Sequence, residues 1–312
     1  MTGTAAPAIP RTAPDLAAAA QLACLLEASA PKPGNISPGR SFTDITYEHF
    51  LASAAAIGGP LSGAGTRPLG ATIRMAVEAT AAWAPSNTNL GIVLLLAPLV
   101  RAAVLEAQSV SVKSLRDSLR RVLDTTTVDD ARDVYAAIRR AAPGGLGRAD
   151  AQDVADEPTV TLLEAMRLAA GRDAIAREYA TGFTITFETA APALARARGD
   201  GLSWNDAVVE TFLHVLAAVP DTHIARRAGE PLAIEVTREA QSTLAAGGVR
   251  TSEGRTAIDW FDRTLRSGEP ANLTNPGATA DLTAAAIFVV LAGGGWTRSA
   301  IFPDGGHDAA TR

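Results

Sequence analysis

The sequence predicts an all-α fold, a single compact multi-helix domain with functional loops at its helix junctions. Two observations carry this reading. Hydrophobic residues make up 47% of the chain while aromatics contribute only 5%, with Ala and Leu abundant, a balance that favours packed helices over sheets. Segment after segment also spaces its apolar residues three and four apart, with Gly, Pro and Asn clustered between the segments. At 312 residues the chain could form one large domain or two smaller ones. We read 15–292 as one domain, 1–14 as an N-terminal tail and 293–312 as a C-terminal tail.

Residues 1–14 are rich in Ala, Thr and Pro and lack the charged start and apolar centre of a secretory signal. The cytoplasm is therefore the expected compartment. A net charge of −5 supplies no overall basic field, so neither nucleic acid nor an anionic membrane is an expected partner. The single Cys24, in an apolar stretch, excludes an intramolecular disulfide framework and reads as a core residue.

Taken in order, 15–28 is an Ala- and Leu-rich helix, stopped by Pro31-Lys32-Pro33-Gly34-Asn35, whose two prolines favour extended backbone. Lys32 is one of two lysines among the 28 Lys and Arg residues, and is either a solvated lysine or a site cation. A helix at 47–57 leads into 58–66, which carries too many glycines to be regular. A helix over 68–83 follows. The polar knot Pro85-Ser86-Asn87-Thr88-Asn89 then opens the apolar stretch 90–100, which contains Pro98 and is about half the length of a membrane span. Asn87, Thr88 or Asn89 caps that helix, and the cluster also suits a ligand at a helix N-terminus.

Helices at 111–123 and 127–141 are amphipathic, the second opened by Thr127 with Asp130. A long excursion spans 143–158, and helices near 159–169 and 173–180 precede Glu188, which is a surface residue or a site acid. Residues 203–218 form a core helix begun by Ser203 and Asp206. Pro220 ends it, so Asp221, Thr222, His223, Arg226 and Arg227 fall at a helix junction, as a solvated turn or as part of a site. Helices follow at 235–246, before Gly247-Gly248, and at 253–265. The turn 272–281 feeds an apolar helix at 282–291, with Asp281 just inside its start, where a carboxylate is favoured.

Five pieces, in order, carry a resemblance. They are Glu27 with Pro31-Lys32-Pro33-Gly34, Asn87-Thr88 with Gly91, Asp221-Thr222 with Ala225-Arg226, Gly247-Gly248, and Asn275-Pro276-Gly277 with Ala280-Asp281-Leu282. Together they resemble the triphosphoribosyl-dephospho-CoA synthase family. The resemblance implies a helical transferase that joins ATP to 3'-dephospho-CoA, the acceptor's ribose 2'-hydroxyl displacing adenine from C1'. Where the family carries Asn-Thr-His-Lys-Gly this chain has Asn87-Thr88-Asn89-Leu90-Gly91, a basic stretch with histidine becomes Asn35 to Arg40, and Asp-Thr-Asn becomes Asp221-Thr222-His223. These departures mark a divergent branch and keep two alternatives in view. One is another nucleotide or a pterin-like acceptor in a one-carbon (tetrahydromethanopterin) pathway, the other a non-catalytic nucleotide-binding protein.

Displacing a base from C1' passes through an oxocarbenium-like state, which needs a carboxylate nearby, an acid for the leaving purine and cations for the phosphates. Asp221 and Asp281 are the candidates for Mg²⁺ or for stabilising the ribosyl cation. His223 is the candidate general acid, its ordinary pKa lying near neutrality. Lys32, Arg226 and Arg227 would hold phosphates, with Thr222 beside them. Asn87, Thr88 and Asn275 would position ribose or water. The loops at 31–44, 85–91, 219–227 and 272–281 are expected to meet at one pocket, and a homodimer is compatible with the sequence.

Overall fold

The computed structural model describes residues 12–42, 44–106, 111–267 and 274–296, and no strand occurs among them beyond a single bridge between Ser37 and Arg40. Every regular element is helical. Helix α1 (Ala13–Ser29) is started by a reciprocal cap between Thr12 and Asp15. It is followed by α2 (Tyr47–Ala56), α3 (Gly58–Ser62) and α4 (Leu69–Ala81). The glycine-rich stretch is thus partly regular, because Leu61 in α3 is wholly buried and anchors one helical turn there.

Helix α5 (Leu90–Leu105) continues through Pro98. Proline leaves the carbonyl four residues back without its usual donor. That carbonyl, on Leu94, accepts instead from the Tyr179 hydroxyl at 2.6 Å. Next come α6 (Val112–Asp124), α7 (Val128–Ala141), α8 (Leu162–Ala169) and α9 (Ala174–Thr181), with the long excursion intact between α7 and α8. Thr127 caps α7 reciprocally with Asp130, which also accepts from the Gly70 amide at 2.7 Å and so ties α4 to α7.

After α9 the chain makes a π-helical turn (Ile185–Ala190) and enters α10 (Ala191–Gly199). The buried Glu178 carboxylate accepts from the amides of Ile185 and Thr186, supplying partners that the irregular turn lacks. Glu188 is exposed and paired with Arg116 at 2.7 Å, which makes it the surface residue rather than the site acid. Then follow α11 (Trp204–Ala218), α12 (Thr222–Ala228), α13 (Glu230–Ala245), a 3-10 turn (Gly248–Arg250), α14 (Ser252–Arg266) and α15 (Gly277–Ala292).

Helix α15 begins five residues before the expected 282, at Gly277, and is buried along almost its whole length. It packs against α1, α5, α10 and α11, so it forms the axis of the core. Cys24 lies in this core, as expected. Of the two tails, 1–11 and 297–312 lie outside the described residues, as do Asn272 and Leu273. Residues 293–296 are not loose: Trp296 stacks on Trp204 with ring centroids 5.4 Å apart, and the Arg198 guanidinium lies 4.6 Å from the Trp204 ring. Among the described residues no helix is long and apolar enough to cross a membrane.

Candidate active site

The N-terminal ends of α5, α12 and α15 open onto one cleft of about 450 Å³. The four loops expected to converge do so: Asn35 and Asp44 come from the first, Asn87 to Gly91 from the second, His223, Arg226 and Arg227 from the third, and Asn275, Gly277, Ala278, Ala280 and Asp281 from the fourth. The excursion after α7 and the α8–α9 junction close the far side, adding apolar wall such as Leu146 and Met166 and the cation Arg172.

The floor is acidic. Asp281 lies one helical turn inside α15 and faces the first turn of α5, where Gly91 leaves room for it: a Cβ there would overlap Oδ2 and stand 2.6 Å from Cγ. No hydrogen bond reaches the Asp281 carboxylate among the described residues. Burial, then the nearby Glu27 and Asp221 carboxylates, push its carboxyl well above the usual range. Glu27, on α1, is itself buried and raised, with Lys32 pulling it back. Arg226 offsets part of this, yet an acid crowded by other carboxylates and without a hydrogen-bond donor is suited to receive a cation.

Lys32 does not reach the phosphates. It is 0% exposed, pairs with Glu27 at 3.0 Å and donates to the carbonyls of Glu27, Ala30 and Ile36. Buried among acceptors with a single carboxylate, it is a strut behind the floor, and the expectation of a phosphate ligand is corrected.

Asp221 is likewise withdrawn from the cleft, at 2% exposure. One carboxylate oxygen accepts from the amides of His223 and Ile224, at 2.8 and 3.0 Å, and the other from the amide and hydroxyl of Thr279, both at 2.7 Å. Four donors occupy its lone pairs, so it caps α12 and ties it to α15 rather than facing a metal or a ribosyl cation. Thr222 is turned inward as well, accepting from the Ala174 amide at 3.1 Å. The bonds of these two residues fix a seven-residue helix too short to persist alone.

That fixation aims His223, Arg226 and Arg227 into the cleft. The His223 Nδ1 sits 3.1 Å from the Asn275 carbonyl, with room made by Gly277, whose Cβ would stand 2.6 Å from it. A carbonyl only accepts, so Nδ1 carries the proton and Nε2 is bare. Burial, followed by Arg226 and Arg227, pushes the His223 pKa down to about 4. A neutral imidazole whose N–H is committed to a carbonyl is an acceptor, not the general acid expected from its ordinary pKa. Arg226 is held by the Gly144 carbonyl at 3.1 Å and Asp173 at 3.4 Å.

Asn87 and Thr88 line the cleft, although each is partly engaged: the Asn87 side chain accepts from the Leu90 amide at 2.9 Å, and the Thr88 hydroxyl bonds Ser53 at 2.6 Å. The Asn275 side chain accepts from Asn35 at 2.8 Å.

The cleft draws on four of the five segments that carried the resemblance, Gly247-Gly248 lying apart beside Thr251 and Glu210, and comparison with known proteins agrees. The family model described as CitG, ATP:dephospho-CoA triphosphoribosyl transferase, matches residues 13–299. The chain belongs to this family. A relative from Pseudomonas syringae pv. tomato, named a probable 2-(5''-triphosphoribosyl)-3'-dephosphocoenzyme-A synthase, is 34% identical over 115 residues, which is 36% of this chain and 38% of the relative. One of the same name from Lactiplantibacillus plantarum is 28% identical over 206 residues, 66% of this chain and 64% of the relative. The chain thus matches well under half the length of the first of these relatives. A crystal structure from Archaeoglobus fulgidus, bearing the name putative triphosphoribosyl-dephospho-CoA synthase, superposes with a TM-score of 0.61 at 30% identity, covering 78% of this chain and 99% of that one.

Of the CitG-family pieces, Glu27, Asn87, Thr88, Gly91, Arg226, Asn275 and Asp281 line the cleft, whereas Lys32 and Asp221 stand behind it. Sequence reasoning gave no site role to the cleft residues Glu27, Asn35 and Arg172, and offered Asn89 only as a cap or as part of a ligand-binding cluster. The position of Arg172 just before Asp173, the cap of α9, was a usable signal, because side chains beside a helix start are often left free to face a ligand.

Proposed function

We propose that the chain transfers the 5-triphosphoribosyl group of ATP to the ribose 2'-hydroxyl of 3'-dephospho-CoA in the cytoplasm, releasing adenine. The observation that carries the reading is the mixed charge of the cleft lining: the acids Glu27 and Asp281 together with the cations Arg172, Arg226 and Arg227. Phosphates suit the arginines, and positive charge developing at C1' suits the floor. The family match and the relatives' names favour this reading over a pterin-like acceptor.

In the reaction the acceptor oxygen bonds C1' of the donor, the bond from C1' to adenine N9 breaks with its electron pair going to the base, and the hydroxyl proton ends on adenine. The bare Nε2 of His223 can accept a hydrogen bond from that hydroxyl and hold its proton as charge transfers. The apolar wall near Leu146 and Met166 gives the base or pantetheine arm a dry surface.

Mg²⁺ fits the floor. The test is the donor set itself: among the described residues Asp281 receives no hydrogen bond, and the carboxylates near it raise its carboxyl. Asp281 with Glu27 would hold the ion, which when bound neutralises the triphosphate. No three His, Cys, Asp or Glu side chains among the described residues converge on a metal by themselves, so phosphate oxygens would complete the coordination.

The test is incubation with ATP, Mg²⁺ and dephospho-CoA, following adenine by chromatography and the adduct by mass. Adenine together with a triphosphoribosyl adduct is the expected result. Intact ATP with this acceptor overturns the proposal.

A further inference from the structure

Two cleft side chains keep a buried polar atom without a partner. Asn35 is 4% exposed, and its Oδ1 meets no donor. The reason is local: its Nδ2 donates to Asn275, its own amide to the Lys32 carbonyl, and its carbonyl accepts from Arg266, so the side chain is pinned with the oxygen turned away. Asn89 is 5% exposed, and its Nδ2 meets no acceptor. It is the cap residue of α5, yet its side chain makes no cap bond, and the first amide of the helix, on Leu90, is taken by Asn87 instead. Buried polar atoms are nearly always paired, and leaving one unpaired costs stability. Both residues line the cleft, so an unpaired acceptor and an unpaired donor among its lining point to a ligand that completes both.

We infer that Asn35 and Asn89 read the hydroxyls of the donor ribose, making the cleft selective for ribonucleotides over deoxyribonucleotides. The inference rests on ATP being held in this cleft. A phosphate only accepts, so Asn35 Oδ1 would repel it. A hydroxyl both donates and accepts, and the two hydroxyls of a ribose satisfy one amide oxygen and one amide nitrogen together. Placement agrees: Asn89, Gly91 and Asp281 line the same cleft, and the Asp281 carboxylate lies against Gly91, so a ribose held by Asn89 shares the cleft with the acidic floor. In place of the histidine that the family resemblance would put at position 89, an amide keeps the contact neutral and able to donate.

The experiment is calorimetric titration of the full chain with Mg-ATP, Mg-2'-deoxy-ATP, Mg-3'-deoxy-ATP and Mg-ITP, repeated on Asn89→Ala. Wild type should bind ATP at least about tenfold more tightly than one or both deoxy analogues, since a site built to bond a hydroxyl rejects a ligand lacking it. Asn89→Ala should narrow the gap to within about threefold, chiefly by weakening ATP. If Asn89→Ala does not fold, Asn89→Ser, a residue also favoured at a helix cap, takes its place. Equal binding of ATP and both deoxy analogues overturns the inference. Discrimination against ITP without discrimination against the deoxy analogues also overturns it, giving the amides to the base edge. Failure of the transfer reading is distinct: hydroxyl discrimination without adenine release sinks that reading and keeps this one, whereas adenine release without hydroxyl discrimination does the reverse. No binding of ATP defeats both.

Discussion

Gly91→Ala tests the site most sharply, because it adds one methyl group at a position where the structure has no room on one side only. The new Cβ would stand 2.6 Å from Asp281 Cγ, against the 3.4 Å at which ordinary contact begins, so the carboxylate must retreat by about 1 Å. The helix itself has no objection: Gly91 lies in the first turn of α5, and alanine is favoured over glycine in helices by up to about 1 kcal/mol. Displacing a group that acts on a developing charge by about 1 Å costs on the order of a hundredfold in rate, equivalent to roughly 2.7 kcal/mol. The variant should therefore keep its melting temperature to within a few degrees while adenine release falls about a hundredfold at saturating ATP and dephospho-CoA. Rates within threefold of wild type, at unchanged stability, would refute the reasoning, since the Asp281 carboxylate would then have no need of its place against α5.

Three further outcomes follow from the struts behind the cleft. Lys32→Met should lose about 3–5 kcal/mol of stability by leaving Glu27 buried without its cation, and adding Glu27→Gln should restore part of that stability in denaturant titrations without restoring turnover. Asp221→Ala should cost about 3 kcal/mol by removing the α12 cap and the tie to Thr279, read as a lower melting temperature in the absence of any nucleotide. His223, held neutral in the fold with its pKa lowered to about 4, favours the folded state in full above about pH 6.5, the ordinary histidine value. That contribution is lost as pH falls from there toward 4, because the unfolded chain takes up the proton first. Asp281 and Glu27, whose carboxyls are raised, act in the opposite sense. The readout is therefore the difference between wild type and His223→Asn, whose melting temperature should fall less steeply between pH 6.5 and 4.

Most helices were legible because their signal is repeated every few residues. The core helices α1, α5, α11 and α15 bury apolar faces that any window of the sequence displays, and the caps at Thr127 and Ser203 act within three residues of themselves. Elements whose cause lies elsewhere in the chain were harder. Residues 58–62 form a turn of helix because Leu61 finds a buried seat, the helix through Pro98 survives because Tyr179 supplies a hydroxyl, and the π-helical turn is held by Glu178. None of those partners is adjacent in sequence. The convergence of four polar loops was legible too, since apolar helices leave turn-forming polar residues only at their ends.

What the sequence could not supply was the direction each polar group faces, and Asp221 and Asp281 show why. Both are acids at the start of a helix, both belong to family motifs, and both were assigned the same metal and catalytic roles. In the fold they differ by their donors. Asp221 receives three amides and a hydroxyl, from its own helix and from Thr279 fifty-eight residues on, so its charge is already answered and it serves as a joint. Asp281 receives none, and its nearest charged neighbours include two more carboxylates. Lys32 and Arg226 divide in the same way, the one enclosed by carbonyls and Glu27, the other aimed along the cleft wall. A helix-start carboxylate is a cap when the chain brings donors to it and a site when the chain withholds them. That distinction depends on contacts between α12, α15 and α5, which no local pattern encodes, and it makes Asp281, a floor acid to which no donor is brought among the described residues, the residue on which the proposed chemistry stands.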